Sequence, residues 1–399
     1  VLLAERELVD TIHGHLEEGE GVIVRHDALV ARGIVESSVK TPEDWLEIPP
    51  LDGPALADLL GVSERGNFEQ TGKSVLTRRT DLAKVAAKHG IEVDELTGLF
   101  DSHRTELRRV RDGRTPPGLD RKIITAWNGL VIASLAQAYA VTGRDEYMTA
   151  AREAADFLLD AHRRDDGSLW RASSEGRTTG EAILDDYAFL ADALLEIYQF
   201  SGETAYLKAA RDLVDHAHEH FRRPEGGWFQ ARESADNPLG RSIDYFDSVI
   251  PSGNAAMLNV LLKLSAVTGE TSYRESAQAA LESWTGLLER AGMEMAWWFD
   301  AAVKLVGPYY DVVIAGDLEA SETSALVQAF ARRLPASAVL SIGAPGGPDA
   351  ELTALAPALE GKAAFGGSPT AFVCEFGNCQ APTDDAAVMA EQMLKGWER

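Results

Sequence analysis

Three stretches of the chain follow one plan: "TAWNGLVIASLAQAYAVTGRDEYMTAAREAADFLLDAH", "LDDYAFLADALLEIYQFSGETAYLKAARDLVDHAHEHF" and "PSGNAAMLNVLLKLSAVTGETSYRESAQAALESWTGLL". Each reads as a helix, a short turn and a second helix. The first helix is apolar almost all round, as a helix enclosed by others must be, while the second carries Arg, Glu and Lys along one stripe. The first is therefore inner and the second outer. Thr142-Gly143, Ser201-Gly202 and Thr268-Gly269 put a glycine just past each inner helix, where a left-handed residue closes it without a Cβ penalty. The turns recur roughly every sixty residues, the period of a helical-hairpin array with intervening loops. Parallel inner helices wrapped by outer ones close into an α/α toroid, so the expected fold is mainly α.

Either side of residues 121–294, which hold these repeats, the pattern changes. From about Met295 the segments "VKLVG", "YYDVVIAG", "AVLSIG" and "TAFVCEFG" read as short strands between the helical stretches "SETSALVQAFARRL" and "DAELTALAPAL", which makes residues 295–399 a small α/β appendix. Its "IGAPGGPD" turn lacks the spacing of a dinucleotide or phosphate loop, and no cofactor is assigned. Residues 1–120 form a less regular N-terminal region with helices expected at 3–18 and 80–112.

Parallel inner helices bring their N-termini, with orphan N–H groups and positive dipole ends, to one rim. Thr125, Trp127 and Asn128, then Asp185, Asp186 and Tyr187, then Ser252, Gly253 and Asn254 occupy equivalent places there. Two loops, "DDGSLWRASSEG" and "RPEGGWFQARE", read as tongues that add Trp170 and Trp228 as exposed aromatics. Indole faces beside carboxylates suit a sugar ring, whose C–H face stacks while its hydroxyls bond to Asp and Asn. Asp186 and Asp247 are the candidate acid and base, since paired carboxylates in unequal environments are the minimum equipment for glycoside chemistry. Trp127, Tyr187, Trp170 and Trp228 are the candidate stacking surface, with Asn128, Asp185, Arg241 and Asn254 as orienting groups. The competing reading is local: N-capping for Thr125 and Ser252, and turn formation for the aspartates of "RSIDYFDSVIPSGN".

His216, His218 and His220 lie at the end of an outer helix, where a protonated ring favours the dipole, so no metal site is assigned. Cys374 and Cys379, the two cysteines, read as structural thiols of a reducing cytoplasm. The 63 acidic residues outnumber 38 basic ones, giving a formal charge of -25 that repels phosphates and argues against nucleic-acid and anionic-membrane partners. Only ten lysines occur, and such an acidic, lysine-poor surface is what a salt-rich cytoplasm, as in a halophile, favours. No apolar run is long enough to span a bilayer, and "VLLAERELVD" carries charges where a signal peptide needs an apolar core.

The stretches "DRKIITAWNGL", "LDDYAFL", "IPSGNAAM" and "SPTAFVCEFGNCQAPT", over roughly residues 50–399, are similar to the spermatogenesis-associated, thioredoxin-domain family (domain of unknown function 255). The resemblance implies a six-hairpin toroid of the kind found in six-hairpin glycosidases and N-acylglucosamine 2-epimerases. It implies fold better than activity. Against the family pattern, this sequence shows no thioredoxin-like stretch and no His-Phe-Glu-Lys inner-helix sequence, and only three hairpins are plain. An incomplete toroid would leave the apolar flank of 126–141 uncovered, which implies a homo-oligomer or a thioredoxin-domain partner. The expected function is carbohydrate or polyol binding with glycosidase-like or sugar epimerase-like chemistry; the alternative is a non-catalytic scaffold.

Overall fold

The computed structural model describes residues 53–63, 65–67, 74–77, 81–113, 119–233, 240–333, 338–375 and 377–395. The helix expected at 3–18 lies outside them. The described residues divide into two compact units, one up to Arg121 and the other from Lys122 onward.

In the first unit, α1 (Gly53–Leu59), α2 (Leu82–His89) and α3 (Val93–Asp112) pack around Leu59, Val85, Ala86 and Leu96. The single helix expected at 80–112 is broken at Gly90, whose left-handed φ of 68° closes α2.

The second unit is built on three hairpins, α4 (Thr125–Thr142) with α5 (Asp145–Ala161), α6 (Leu184–Ser201) with α7 (Thr204–Phe221), and α8 (Gly253–Thr268) with α9 (Thr271–Ser283). Their inner helices end as expected, at Gly143, Gly202 and Gly269 with φ of 72°, 71° and 71°. Burial follows the pattern of the side chains. On α6 nearly every residue from Leu184 to Ser201 is buried, whereas α7 buries only one face.

The inner helices run parallel, because contacts advance in step along each pair. Ala126 meets Asp186 and Gly129 meets Phe189, while Gly253 meets Asp185 and Lys263 meets Asp192 and Glu196. Gly129 permits the close approach of α4 to α6: a Cβ there would lie 2.7 Å from the Phe189 carbonyl carbon and oxygen. Gly129→Ala should therefore destabilise. The alanine gains about 1 kcal/mol of helix propensity, but backbone overpacking costs about 1–3 kcal/mol or more, and strain wins because both contacted atoms belong to a helix backbone. Urea unfolding of the variant checks this, and a stabilised protein would refute the close approach.

Two short helices, α10 (Thr285–Ala291) and α11 (Ala296–Val306), follow α9. The expected strand "VKLVG" is instead the end of α11, which buries Trp298, Ala301 and Lys304 at three-residue intervals. Packing against α8 overrides the β-branched character of this short run. The start of α11 sits beside the start of α8, both held by Asp247, but α11 buries only one face and is not enclosed as the inner helices are.

The appendix holds β4 (Tyr310–Ala315), β5 (Ala338–Gly343), β6 (Thr370–Glu375) and β7 (Asn378–Cys379) in the order β5-β4-β6-β7, with α12 (Ser321–Arg333), α13 (Ala350–Leu355) and α14 (Ala386–Gln392). β4 is parallel to β5 and antiparallel to β6. This sheet shares one core with the hairpins. At the C-terminal end of α6, Gln199 Oε1 accepts the Leu340 N–H at 3.0 Å and Tyr198 bonds Ser341 at 3.2 Å. Cys374 and Cys379 face each other across β6 and β7 and form a disulfide, which corrects the reading of two structural thiols. Among the described residues no helix is long and apolar enough to cross a membrane.

Candidate functional site

Asp185 and Asp186 each serve a neighbouring helix. The residues preceding α4 and α6 are Ile124 and Ile183, whose side chains cannot accept the orphan N–H groups of a first turn. Asp186 supplies both. Its Oδ1 accepts the Ala126 N–H of α4 at 2.9 Å, and its Oδ2 accepts the Ile183 N–H at 2.9 Å. Arg171, on the tongue formed by β2 (Trp170–Ser174) and β3 (Arg177–Glu181), with β1 (Ile123–Ile124) antiparallel to β2, pairs with Oδ2 at 3.2 Å. Asp186 is fully buried, and that burial outweighs the N–H bonds and Arg171, pushing its carboxyl up to about 7. Asp185 turns the other way, accepting from Gln230 at 2.9 Å and from the Gly253 N–H at the start of α8. Burial raises its carboxyl against the Gln230 bond, and the charge of Asp244 adds to the rise.

Ser252 caps α8 as expected, accepting from Ala255 N–H at 3.2 Å. Thr125 does not cap α4. Its hydroxyl donates to the Trp170 carbonyl at 2.7 Å and thereby anchors the β2–β3 tongue, leaving its oxygen to accept from His162 Nδ1 at 2.7 Å. With Nδ1 the donor, His162 Nε2 accepts from Ser173 at 2.9 Å. The ring is fully buried and burial pulls it down to about 4, so it is neutral at physiological pH. His162 carries no signal in the sequence because it ends an outer helix and reaches the inner-helix start only through the tertiary fold.

Several candidates are structural where the sequence suggested a free surface. Trp228 is 1% exposed, edge-on to His218, with its backbone held by Asn254 on both N–H and carbonyl at 2.9 and 3.0 Å. Tyr187 is buried, its hydroxyl accepts the Leu169 N–H at 3.0 Å, and its ring stacks on His216. Asn128 donates to the Ile124 carbonyl at 2.9 Å. Arg241 donates to the His220 carbonyl and lies 3.8 Å over the Phe229 ring. Asp247 joins two helix starts, accepting the Ser252 N–H at 2.9 Å and the Trp297 N–H at 2.8 Å. His216 and His218 are packing rings that burial holds low, rather than protonated groups on a helix dipole. Among the described residues no set of three His, Cys, Asp or Glu is placed to hold a metal ion.

Solvent reaches a smaller set at this mouth. Asp185, Gln230, Trp127 and Trp170 are half-buried, Asp244 is exposed and the Arg171 side chain is 41% exposed. Arg164 covers one face of Trp170 at 3.3 Å. The mouth thus combines carboxylates, a guanidinium held by Asp186 and the Trp170 indole, a mixed acceptor, donor and stacking surface.

No family model matches the chain. Human spermatogenesis-associated protein 20 is 31% identical over 358 residues, a match covering 84% of this chain and 45% of that protein. The rat protein of the same name is 28% identical over 372 residues, covering 88% of this chain and 47% of its own length. The chain thus spans about half the length of the curated relatives it matches. Among solved structures, cellobiose 2-epimerase from Spirochaeta thermophila is similar at a TM-score of 0.38 and 16% identity, over 47% of this chain and 55% of that one. A GH76 alpha-mannanase from Bacteroides thetaiotaomicron is similar at 0.39 and 15%, over 63% and 69%.

Proposed function

We propose that this chain, similar to spermatogenesis-associated protein 20 over most of its own length, binds a carbohydrate or related polyol at the inner-helix mouth. The observation that carries the reading is the convergence of half-buried Asp185 and exposed Asp244 with the Arg171 side chain where α6 and α8 begin, beside the Trp170 tongue anchored on Thr125. Hydroxyls can donate to Asp185 and accept from Arg171 while a C–H face lies on an indole. Asp186 lies behind this surface and orients Arg171. Fully buried with both oxygens on helix-start N–H groups, Asp186 reaches a ligand only through Arg171, so in an enzymatic version of this reading it is a positioning group. Asp247, paired with Asp186 on sequence grounds, gives both oxygens to helix starts and in this reading holds α8 to α11.

The alternative is a non-catalytic scaffold. One side of α4 favours it, since Trp127, Leu130, Val131, Ala138 and Val141 are only half-buried along an apolar helix. Calorimetry with D-glucose, D-mannose and D-sorbitol separates the two. Polyol binding at the mouth requires saturable uptake of at least one probe, weakened about fivefold or more by Arg171→Ala, the cost of roughly one good hydrogen bond. Absence of uptake by the wild-type protein would leave the scaffold.

A further inference from the structure

In the appendix, three side chains stand in one row across adjacent strands. Asp311 of β4 is directly opposite Cys374 of β6, and Cys374 is directly opposite Cys379 of β7. Directly opposite residues share a face of the sheet, with Cβ atoms about 5 Å apart. The outer member of the row is open: β7 ends the sheet, and Gly377, Asn378 and Cys379 are all exposed. The middle member is enclosed, with Cys374 only 2% exposed. The Cys374–Cys379 disulfide thus has one sulfur on an exposed residue and the other in the core.

Stapling is a weak account of this bond. Its ends are five residues apart, and closing so short a loop restricts the unfolded chain far less than closing a long one. The strands are also held without it: the Gln380 N–H donates to the Val373 carbonyl at 2.9 Å beside the pair, and Gln380 Nε2 donates to the Gln392 carbonyl at 2.9 Å. Reduction therefore leaves the two sulfurs neighbours, ready to close again. Exchange at this bond has a direction as well. An incoming thiolate meets the exposed Cys379, so Cys374 is the leaving group, and an enclosed thiolate leaves poorly unless it receives a proton. Asp311 is the acid that stands opposite it. Burial pushes that carboxyl up to about 6, against the pull of Lys362, so it keeps a proton where an ordinary aspartate has lost one.

We propose that Cys374–Cys379 is a redox-active pair that accepts two electrons from a dithiol, with Cys379 as the sulfur attacked and Asp311 as the proton donor to Cys374. The attacking thiolate forms a mixed disulfide with Cys379 as the Cys374–Cys379 bond breaks, and the Cys374 sulfur leaves with that electron pair and takes the Asp311 proton. The second thiolate of the reductant then displaces Cys379, which takes a proton from water, and Asp311 regains its own from solvent. The reductant ends as a disulfide and the chain as a dithiol.

Dithiothreitol is the probe, and the folded full chain is sampled by thiol alkylation and mass measurement. Complete reduction without denaturant, at an unchanged circular-dichroism spectrum, is expected; a bond reduced only once urea unfolds the chain would overturn the proposal. Glutathione disulfide should form a mixed disulfide with Cys374→Ser, whose remaining thiol is exposed, about tenfold faster than with Cys379→Ser. Equal or reversed rates would overturn the choice of Cys379 as the sulfur attacked. Divided by the thiolate fraction of dithiothreitol, the wild-type rate should fall about tenfold from pH 5 to pH 7, as Asp311 passes from mostly protonated to mostly ionised. Lys362 and Tyr309, the other titratable groups whose fields meet that of Asp311, ordinarily titrate near pH 10. Asp311→Asn should abolish the fall. A flat wild-type profile, or a fall that persists in Asp311→Asn, would overturn the proton-donor role.

Discussion

Asp186→Ala is expected to lower the unfolding free energy by about 3 kcal/mol at pH 5. The side chain satisfies the buried Ala126 N–H and the Ile183 N–H, and each orphaned donor costs about 1–3 kcal/mol, before the loss of the Arg171 contact. The effect should depend on pH in a particular direction. Burial raises the folded-state carboxyl to about 7, above its unfolded value, so the stability it contributes is fully present at low pH and is lost as pH rises through 7. The deficit of the variant should accordingly narrow by about 2.7 kcal/mol, to under about 0.5 kcal/mol by pH 8, since the two units between pH 5 and the folded value near 7 correspond to about 1.4 kcal/mol each. Urea unfolding followed by circular dichroism across this range is the measurement. A deficit under 0.5 kcal/mol at pH 5, or one that widens toward pH 8, would contradict the capping role and its protonation.

Lys263→Met should be the most damaging single change in the hairpin core, costing about 3–5 kcal/mol. Methionine nearly conserves volume, so the loss is electrostatic: it leaves Glu196, whose side chain is 4% exposed, and Asp192 without their shared cation. Burial by itself would lower the Lys263 ammonium, yet Asp192 and Glu196 outweigh it and hold the group above its ordinary range, so the wild-type pair persists through neutral pH. In the variant, acidification neutralises the orphaned carboxylates, and the deficit should shrink toward acid pH. A thermal midpoint within 2 °C of wild type at neutral pH would show that the charges are compensated elsewhere, because about 3 kcal/mol corresponds to roughly 6–12 °C for a unit of this size.

The hairpin architecture was legible because it is written in local periodicity. Apolar residues all round α6 and one-sided polarity on α7 specify which helix is enclosed, and Gly143, Gly202 and Gly269 mark the turns by a conformational need that glycine meets. The three strands β4, β5 and β6 were legible for the same reason. The strand expected at 303–307 failed because a five-residue apolar run has no period of its own, and contact with α8 made it the end of α11.

The site was legible only as a neighbourhood. Sequence equivalence among repeats placed Thr125, Asp185 and Ser252 at one rim, but it could not say which carboxylate faces water. That was decided by partners about 45 to 70 residues away: Ala126 for Asp186, Gln230 and Gly253 for Asp185, and Trp170 for Thr125. His162 and the bonds of Lys263 to Asp192 and Glu196 carry no sequence signal, since their meaning lies in contacts between helices. The chain by itself determined its hairpins, their turns and their shared rim, because propensity and hydrophobic period act over a few residues. Only the tertiary structure decided which polar groups are consumed as caps and which keep spare valences, because a hydrogen bond between helices depends on register and distance that no local pattern encodes.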